Sequence, residues 1–87
     1  MYLVSFKSTH HAMMLEHIVK EANIKSLTIP TPRAITKSCG MSIKFQEEIP
    51  LERVIEMVEG NKLKVVGIFE VKDDALESVY TNMEDEV

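Results

Sequence analysis

The sequence of 87 residues predicts an α/β domain, an α+β sandwich of the ferredoxin-like split βαβ type with the element order β-α-β-β-α-β. Two observations predict this fold. Apolar side chains recur at spacings of three and four residues in two stretches, which is the pattern of amphipathic helices. Short β-rich runs flank both stretches, and turn-forming residues separate them. We expect two right-handed crossover units that interleave into one antiparallel sheet, with both helices on one face.

The first β-α-β unit occupies the N-terminal third of the chain. Residues 2–6, YLVSF, predict a strand because aromatic and β-branched side chains are concentrated there. Residues 9–23 show the helical spacing, and the hydroxyl oxygen of Ser8 or Thr9 is available to cap the first amides of that helix. Residues 25–29, KSLTI, alternate in polarity and predict the second strand.

A loop and the second unit follow. Residues 30–40, PTPRAITKSCG, combine two prolines with Ser, Thr and Gly and predict an irregular loop. Strict alternation in residues 41–46, MSIKFQ, predicts the third strand. The second helix is expected to take Pro50 as its first residue and to stop with Gly60 as the residue after its end. Residues 64–71, KVVGIFEV, predict the last strand.

Residues 72–87 differ in charge from the rest of the chain. They hold one basic and six acidic residues, whereas residues 1–71 hold nine basic and eight acidic residues, in a chain of net charge −4. We therefore expect a domain over residues 1–71 and an acidic C-terminal tail over residues 72–87. Two alternatives stay open for this tail, a short helix around Ala75–Tyr80 or a loose segment. Phosphate backbones are bound by clustered Lys and Arg, so nucleic acid is not an expected partner.

Composition predicts a reduced, cytoplasmic protein. No apolar run approaches the roughly 20 residues needed to cross a bilayer, so a membrane is not an expected partner. The N-terminus has neither the basic stretch nor the cleavage site of a signal peptide. The single cysteine cannot form an intramolecular disulfide, in contrast to the several cysteines of most small secreted domains.

Alternation along the strands also predicts which side chains face the core. In the second strand, Leu27 and Ile29 are expected to face the helices. On the first helix, Met13 and Met14 are expected to fill the core and not to act as metal ligands. The opposite face of the sheet is then expected to be a mixed surface formed by Leu3, Ser5, Thr28, Ser42 and Lys44. Because a domain of this size has a thin core, we expect a second copy of the chain to cover that face, giving a homodimer.

The lone cysteine, Cys39, is the most chemically distinctive residue. It lies in the turn Ser38-Cys39-Gly40, outside the apolar stripes, and Gly40 allows the backbone to approach another group closely. The predicted topology places this turn at the end of the sheet where the first helix begins. A helix N-terminus, with cations such as Arg33 and Lys37, lowers the pKa of a cysteine and favours its thiolate. The competing interpretation is a structural thiol, since free cysteines often act as small buried hydrophobes.

Thr9, His10 and His11 lie in the first turn of the first helix, at the same end of the sheet. A histidine beside a cysteine can form the thiolate–imidazolium pair that a cysteine-dependent enzyme requires, although two solvated histidines are the alternative. A zinc site formed by Cys39, His10 and His11 has no supporting ligand spacing. The sequence contains no phosphate-loop, dinucleotide-binding or C-x-x-C motif, so we expect neither a metal nor a cofactor.

With these residues, the chain resembles a family of short bacterial proteins described as selenium/sulfur carrier protein-like, a domain of unknown function. The likeness rests on three stretches that together span most of residues 2–70: YLVSFKSTHHAM, IPTPRAITKSCG and VVGIF. The Pro-Arg…Ser-Cys-Gly loop is the most specific of them. The resemblance implies that Cys39 carries sulfur or selenium as a persulfide or selenopersulfide, with Arg33, Ser38 and Gly40 as its loop neighbours.

Two functions follow as hypotheses. In the first, a non-enzymatic carrier exchanges sulfur or selenium with donor and acceptor proteins through Cys39. A single thiol suits this role, because a second nearby cysteine would discharge the persulfide as a disulfide. In the second, a small dimeric binding or regulatory module has an incidental cysteine, and the fold alone does not decide because ferredoxin-like domains host many functions. A cysteine-dependent enzyme with His10 or His11 as its base ranks last.

Overall fold

The computed structural model describes residues 1–33, 35, 40–73 and 75–82. Its elements are, in chain order, β1 (Tyr2–Phe6), α1 (Thr9–Glu21), β2 (Ser26–Pro30), β3 (Met41–Phe45), α2 (Leu51–Gly60), β4 (Gly67–Lys72) and β5 (Ala75–Tyr80). Within these residues the strands form one antiparallel sheet in the order β2-β3-β1-β4-β5. The predicted α+β class, with two helices and an antiparallel sheet, is confirmed. The sheet departs from the predicted four-stranded arrangement because a fifth strand lies beside β4.

The segment Ala75–Tyr80 is a strand, so the short helix predicted around it is wrong. β5 pairs antiparallel with β4, and the turn between them places Asp73 in the left-handed region at φ 42°. Asp tolerates that conformation better than most residues. Val79 and Tyr80 pack against the core, whereas Glu77 is exposed. Pairing with β4 satisfies the backbone groups that this edge strand directs toward β4. The strand also brings its apolar side chains to the core, which outweighs a weak helical preference.

The last predicted strand begins later than expected, at Gly67 instead of residue 64. Leu63 and Val65 are buried, at 1% and 0% exposure, but they are not in a strand. The N–H of Val65 donates to Oδ1 of Asn82 at 2.9 Å, and Nδ2 of Asn82 donates to the carbonyl oxygen of Leu63 at 2.7 Å. The side-chain amide of Asn82 therefore forms hydrogen bonds with the backbone of this apolar segment, where pairing with a neighbouring strand was expected.

The two helices pack on the same face of the sheet and share one core. On α2 the predicted apolar stripe is confirmed, since Val54 and Val58 are fully buried. On α1, Met13 and Met14 are 62% and 36% exposed, so the expectation that they fill the core is wrong. The buried core residues are Val4, Phe6, Ala12, Leu15, Val19, Ile24, Ile43, Phe45, Ile49, Val54, Val58, Leu63, Val65 and Ile68.

The observed helix ends agree in part with the ends predicted from the sequence. The side chain of Ser8 caps α1, because its Oγ accepts a hydrogen bond of 3.4 Å from the N–H of His11. Pro50 is the N-cap of α2, one position before the expected one. Gly60 was expected after the end of α2 but is its last residue, and Lys62 takes the left-handed conformation instead, at φ 55°. Neither described helix combines the length and apolarity needed to cross a membrane.

The faces of β2 are reversed relative to the prediction. The register pairs Thr28 with Ile43, a fully buried core residue, and Oγ1 of Thr28 donates to Oε2 of Glu16 on α1 at 2.8 Å. Thr28 therefore faces the helices, whereas Leu27 and Ile29 lie on the opposite face. A shift of one residue moves every side chain of a strand to the other face, so the alternation alone could not choose between the two arrangements.

The sheet face opposite the helices is more buried than the mixed surface that was expected. Leu3, Ser5 and Ser42 are 2%, 0% and 0% exposed, whereas Leu27 on the same face is 48% exposed. This face therefore combines buried hydroxyl groups near the centre of the sheet with an exposed apolar side chain on the edge strand β2.

Candidate functional site

The end of β1, the end of β2 and the start of β3 meet at one edge of the sheet. Phe6 and Pro30 both pair with Met41, and α1 begins shortly after Phe6. The main-chain N–H of Thr31 donates to the carbonyl oxygen of Gly40 at 3.0 Å. This hydrogen bond closes the base of the loop between β2 and β3. The loop therefore starts and ends at the edge that carries the first turn of α1.

Two of the predicted site residues, Ser38 and Cys39, lie outside the described residues. The structure describes both ends of their loop and the turn at Arg33, which is exposed. The N–H of Ile35 donates to the carbonyl oxygen of Pro32 at 3.0 Å and spans this turn. The position of the Arg33 guanidinium relative to the thiol stays a prediction, as does the zinc site that would use Cys39.

Gly40 is required by a close approach of the backbone. A β-carbon at this position would lie 2.6 Å from the carbonyl oxygen of Phe6 and 3.3 Å from Oγ1 of Thr31. The first distance is shorter than carbon and oxygen tolerate, and the oxygen belongs to the backbone of a paired strand. Gly40 is not in the left-handed region, so close approach and not backbone conformation explains the glycine. The residue that follows Cys39 in the chain is thus held against the end of β1.

A chain of hydroxyl groups runs beneath this edge and was missed from the sequence. Oγ of Ser42 lies 2.8 Å from Oγ1 of Thr31 and 2.8 Å from Oγ of Ser5. Ser5 and Ser42 are fully buried, so each hydroxyl depends on its neighbours for hydrogen bonding. The sequence feature that could have indicated these buried hydroxyl groups is that both serines occupy strand positions flanked by apolar residues. These hydrogen-bonded hydroxyl groups link the base of the loop to β1 through side chains alone.

His11 takes part in a structural hydrogen bond. Its Nδ1 accepts a hydrogen bond of 2.9 Å from the main-chain N–H of Lys64. An accepting Nδ1 carries no proton, so in neutral His11 the proton lies on Nε2, which is then a donor. Nε2 could act as a base only after the tautomer changed and the bond to Lys64 was lost. This arrangement favours a positioning role for His11 over the general-base role considered from the sequence.

Thr9 and His10, the first two residues of α1, are exposed. The rings of His10 and His11 are 5.8 Å apart between centroids and tilted by 46°. His10 borders a pocket of about 450 Å³, whereas His11 contacts the segment that precedes β4. The pocket is lined by His10, Met13, Met14, His17, Ile18 and Asn61. The structure thus brings both histidines to the predicted edge and gives them different neighbours.

A tyrosine–carboxylate pair joins β5 to α2. The hydroxyl of Tyr80 donates a hydrogen bond to Oε2 of Glu59. This bond raises the pKa of Tyr80 above its ordinary value of 10.0, and burial and the negative charge of Glu59 raise it further, while a hydrogen bond with Asn82 opposes them. The pair therefore stabilises the contact of the unpredicted strand with the helical layer. Among the described residues, no group of three or more His, Cys, Asp or Glu side chains is arranged to hold a metal ion.

The family model described as "Putative Se/S carrier protein-like" matches residues 1–70. Comparisons with curated proteins and with solved structures gave no match. The matched region runs from β1 into β4 and includes the loop that contains Cys39, in agreement with the three stretches on which the sequence resemblance rests. The chain belongs to the Se/S carrier protein-like family.

Proposed function

We propose that the protein carries sulfur or selenium on Cys39, as a persulfide or selenopersulfide, and passes it to an acceptor protein. The observation that supports this most directly is the anchoring of Gly40 against Phe6, at the edge where α1 begins. Gly40 follows Cys39 in the chain, and the family match spans the loop.

The transfer is a thiol exchange without net oxidation. The Cys39 thiolate attacks the outer sulfur of a donor persulfide, R–S–SH, and forms the bond of Cys39–S–SH while the donor S–S bond breaks. The donor leaves as the thiolate R–S⁻, and the proton stays on the transferred sulfur. Delivery repeats the step with an acceptor thiolate as nucleophile and the Cys39 thiolate as leaving group. Selenium replaces the outer sulfur in the selenopersulfide form.

The first turn of α1 supplies the stabilisation that the thiolate needs. Helix N-termini present unpaired N–H groups and a partial positive charge, which lower the pKa of a nearby cysteine. The low pKa serves both half-reactions, because it raises the thiolate fraction for uptake and makes Cys39 a better leaving group for delivery. We assign the backbone of Thr9 and His10 to this role and the Arg33 guanidinium to an additional positive charge beside the loop.

A carrier fits the described site better than an enzyme that uses His11 as its base. Nδ1 of His11 is occupied by the Lys64 N–H, so the ring positions the start of α1 against the segment before β4. We infer that Ser38 and Gly40 shape the turn that presents the thiol, and that donor and acceptor proteins approach this edge in the reducing cytoplasm. We infer that β1 to β4 with the two helices form a ferredoxin-like unit, to which β5 adds one strand.

Intact-mass measurement tests the proposal. The protein is incubated with a small-molecule persulfide donor, and we expect a product heavier by one sulfur atom, which disappears after reduction. Cys39→Ser is the matched control and should gain no sulfur. An absent adduct on the wild-type protein, or an equal adduct on Cys39→Ser, contradicts the carrier function.

A second candidate is a dimeric binding module in which Cys39 is incidental. The 48% exposure of Leu27, on the sheet face opposite the helices, supports an interface there. Sedimentation equilibrium distinguishes the candidates when wild type is compared with Leu27→Lys. A dimer that Leu27→Lys dissociates, combined with no sulfur adduct on Cys39, favours the module over the carrier.

A further inference from the structure

The exposed methionines of α1 form a feature that the proposed function does not use. Met13 is 62% exposed and Met14 is 36% exposed, although methionine is normally a buried residue. Both line the open pocket at the side of α1, together with the imidazoles of His10 and His17. Two thioethers and two imidazoles thus share one cavity.

Helix geometry explains why these four side chains lie together. With 3.6 residues per turn, positions 10, 13, 14 and 17 of one helix fall within an arc of about 100°. Residues three and four apart on a helix have β-carbons about 5–6 Å apart, which is within reach of shared coordination by long side chains. His10 with Met13 has the first spacing, and His10 with Met14 has the second. His10 therefore lies on the same face of α1 as each methionine, and all three side chains line one pocket.

We propose that His10, Met13 and Met14 form a binding site for a soft monovalent cation, Cu(I). Thioether sulfur selects Cu(I) over the harder divalent ions, and imidazole nitrogen also suits copper. Among the described residues that line the pocket there is no carboxylate, so this lining lacks the oxygen ligands that Mg²⁺, Ca²⁺ and Mn²⁺ prefer. The sequence-based expectation of no metal rested in part on placing both methionines in the core, and their exposure removes that premise.

Both histidines have helical spacings of three and four residues to the methionines, and we assign the imidazole ligand to His10 because His17 already pairs with Glu21. The two histidines are seven positions apart, about 10 Å along the helix axis, so they cannot bind one ion together. Nε2 of His17 lies 3.9 Å from Oε1 of Glu21, one turn further along the helix and away from His10. Ile18 and Asn61 border the pocket beside the proposed ligands.

Competition with a chromophoric Cu(I) chelator under anaerobic, reducing conditions tests the proposal. The full chain carries Cys39→Ser in every sample, because a free thiol would itself bind Cu(I). Changing an outer partner of a metal ligand typically costs about 10- to 100-fold in affinity, so losing two direct ligands in Met13→Leu/Met14→Leu should cost about 100-fold or more. Leu has a similar volume to Met, which preserves packing. His10→Gln should also weaken binding, whereas the matched control His17→Gln should leave it unchanged.

A second measurement separates coordination from nonspecific binding. Protein with ¹³C-labelled methionine methyl groups is titrated with Ag(I), a redox-stable substitute for Cu(I). We expect the Met13 and Met14 methyl signals to shift while those of Met41 and Met57 do not. Unshifted Met13 and Met14 signals would identify the pocket as an apolar surface without a metal and would overturn the proposal. Equal Cu(I) affinity in the double variant and its parent would do the same, as would loss of binding in His17→Gln alone.

Discussion

Gly40 approaches Phe6 so closely that a β-carbon at position 40 would lie 2.6 Å from the Phe6 carbonyl oxygen. That oxygen belongs to a strand paired on both sides, so it cannot move aside freely. We expect Gly40→Ala to lower the free energy of unfolding by about 1–3 kcal/mol, the usual cost of overpacking, in urea denaturation.

Gly60→Ala is the matched control for this prediction. In the described part of the chain, no atom outside its own stretch of helix lies within 4 Å of the position of its β-carbon, and its φ is not left-handed. Ala there should be neutral or stabilise by about 0.4–1 kcal/mol, because it restricts the unfolded chain. Similar destabilisation by both substitutions would contradict this prediction, because it would show that the close approach to Phe6 adds nothing to the loss of stability.

The hydrogen-bonded hydroxyl groups of Ser5, Ser42 and Thr31 predict unequal effects of two serine substitutions. Ser42→Ala removes the central hydroxyl and deprives both Thr31 and Ser5 of a partner, so we expect a loss of about 1–3 kcal/mol in the free energy of unfolding. Ser5→Ala removes a terminal hydroxyl and should cost less. In the double variant the effects should be less than additive, since the Ser5 hydroxyl is no longer left unpaired. Ser78→Ala, at an exposed position of β5, is the control and should change stability by less than about 0.5 kcal/mol.

The hydrogen bond between His11 and Lys64 predicts a local change in amide exchange. His11→Ala removes the Nδ1 acceptor, so the Lys64 amide should exchange its hydrogen faster, with a loss of about 0.5–1.5 kcal/mol in stability. His11→Asn places an amide oxygen near the position of Nδ1 and should restore most of the protection. Protection at Lys64 that persists in His11→Ala would contradict the positioning role of His11.

The Tyr80–Glu59 pair predicts a pH dependence of stability. The hydrogen bond with Glu59 raises the pKa of Tyr80 above 10.0, so the folded protein favours the protonated phenol. The resulting stabilisation is complete below pH 10.0 and is lost as pH rises through the higher pKa of the folded state. We expect Tyr80→Phe to be less stable than wild type at neutral pH, with a difference that shrinks above pH 10.0. A phenolate absorbance titration of the two proteins gives the pKa of Tyr80 directly, and a value at or below 10.0 would contradict the assignment.

The proposed activation of Cys39 predicts the pH dependence of its alkylation. An unperturbed cysteine has a pKa of about 8.5, and a thiolate near a helix N-terminus should react with an inflection well below that value. The rate of reaction with iodoacetamide, measured against pH, gives this inflection. The protein unfolded in urea is the control and should return the ordinary value. An inflection near 8.5 in the folded protein would leave the carrier without a physical source of reactivity.

Local sequence patterns were sufficient to predict the positions of both helices and of most strands. The apolar spacing of α1 and α2 reports a period of 3.6 residues whatever the rest of the chain does, and the side chain of Ser8 caps α1 as the sequence indicated. Which side chains of β2 face the helices could not be predicted in this way. Leu27 and Ile29 look like core residues in isolation, but the register with β3 places Thr28 toward the helices. Likewise, the segment that forms β5, ALESVY, has no strong strand pattern, and β4 supplies its partner.

What the sequence determined by itself is the family, the two helices, the α+β class and the choice of Cys39 as the reactive candidate, because local periodicity and short motifs carry that information. Tertiary structure decided the contacts between distant positions: Gly40 against Phe6, His11 with Lys64, and Ser5 with Ser42. It also left the methionines of α1 outside the core. These contacts depend on strand register and on which helix face meets the sheet, and both are set by the packing of the whole chain.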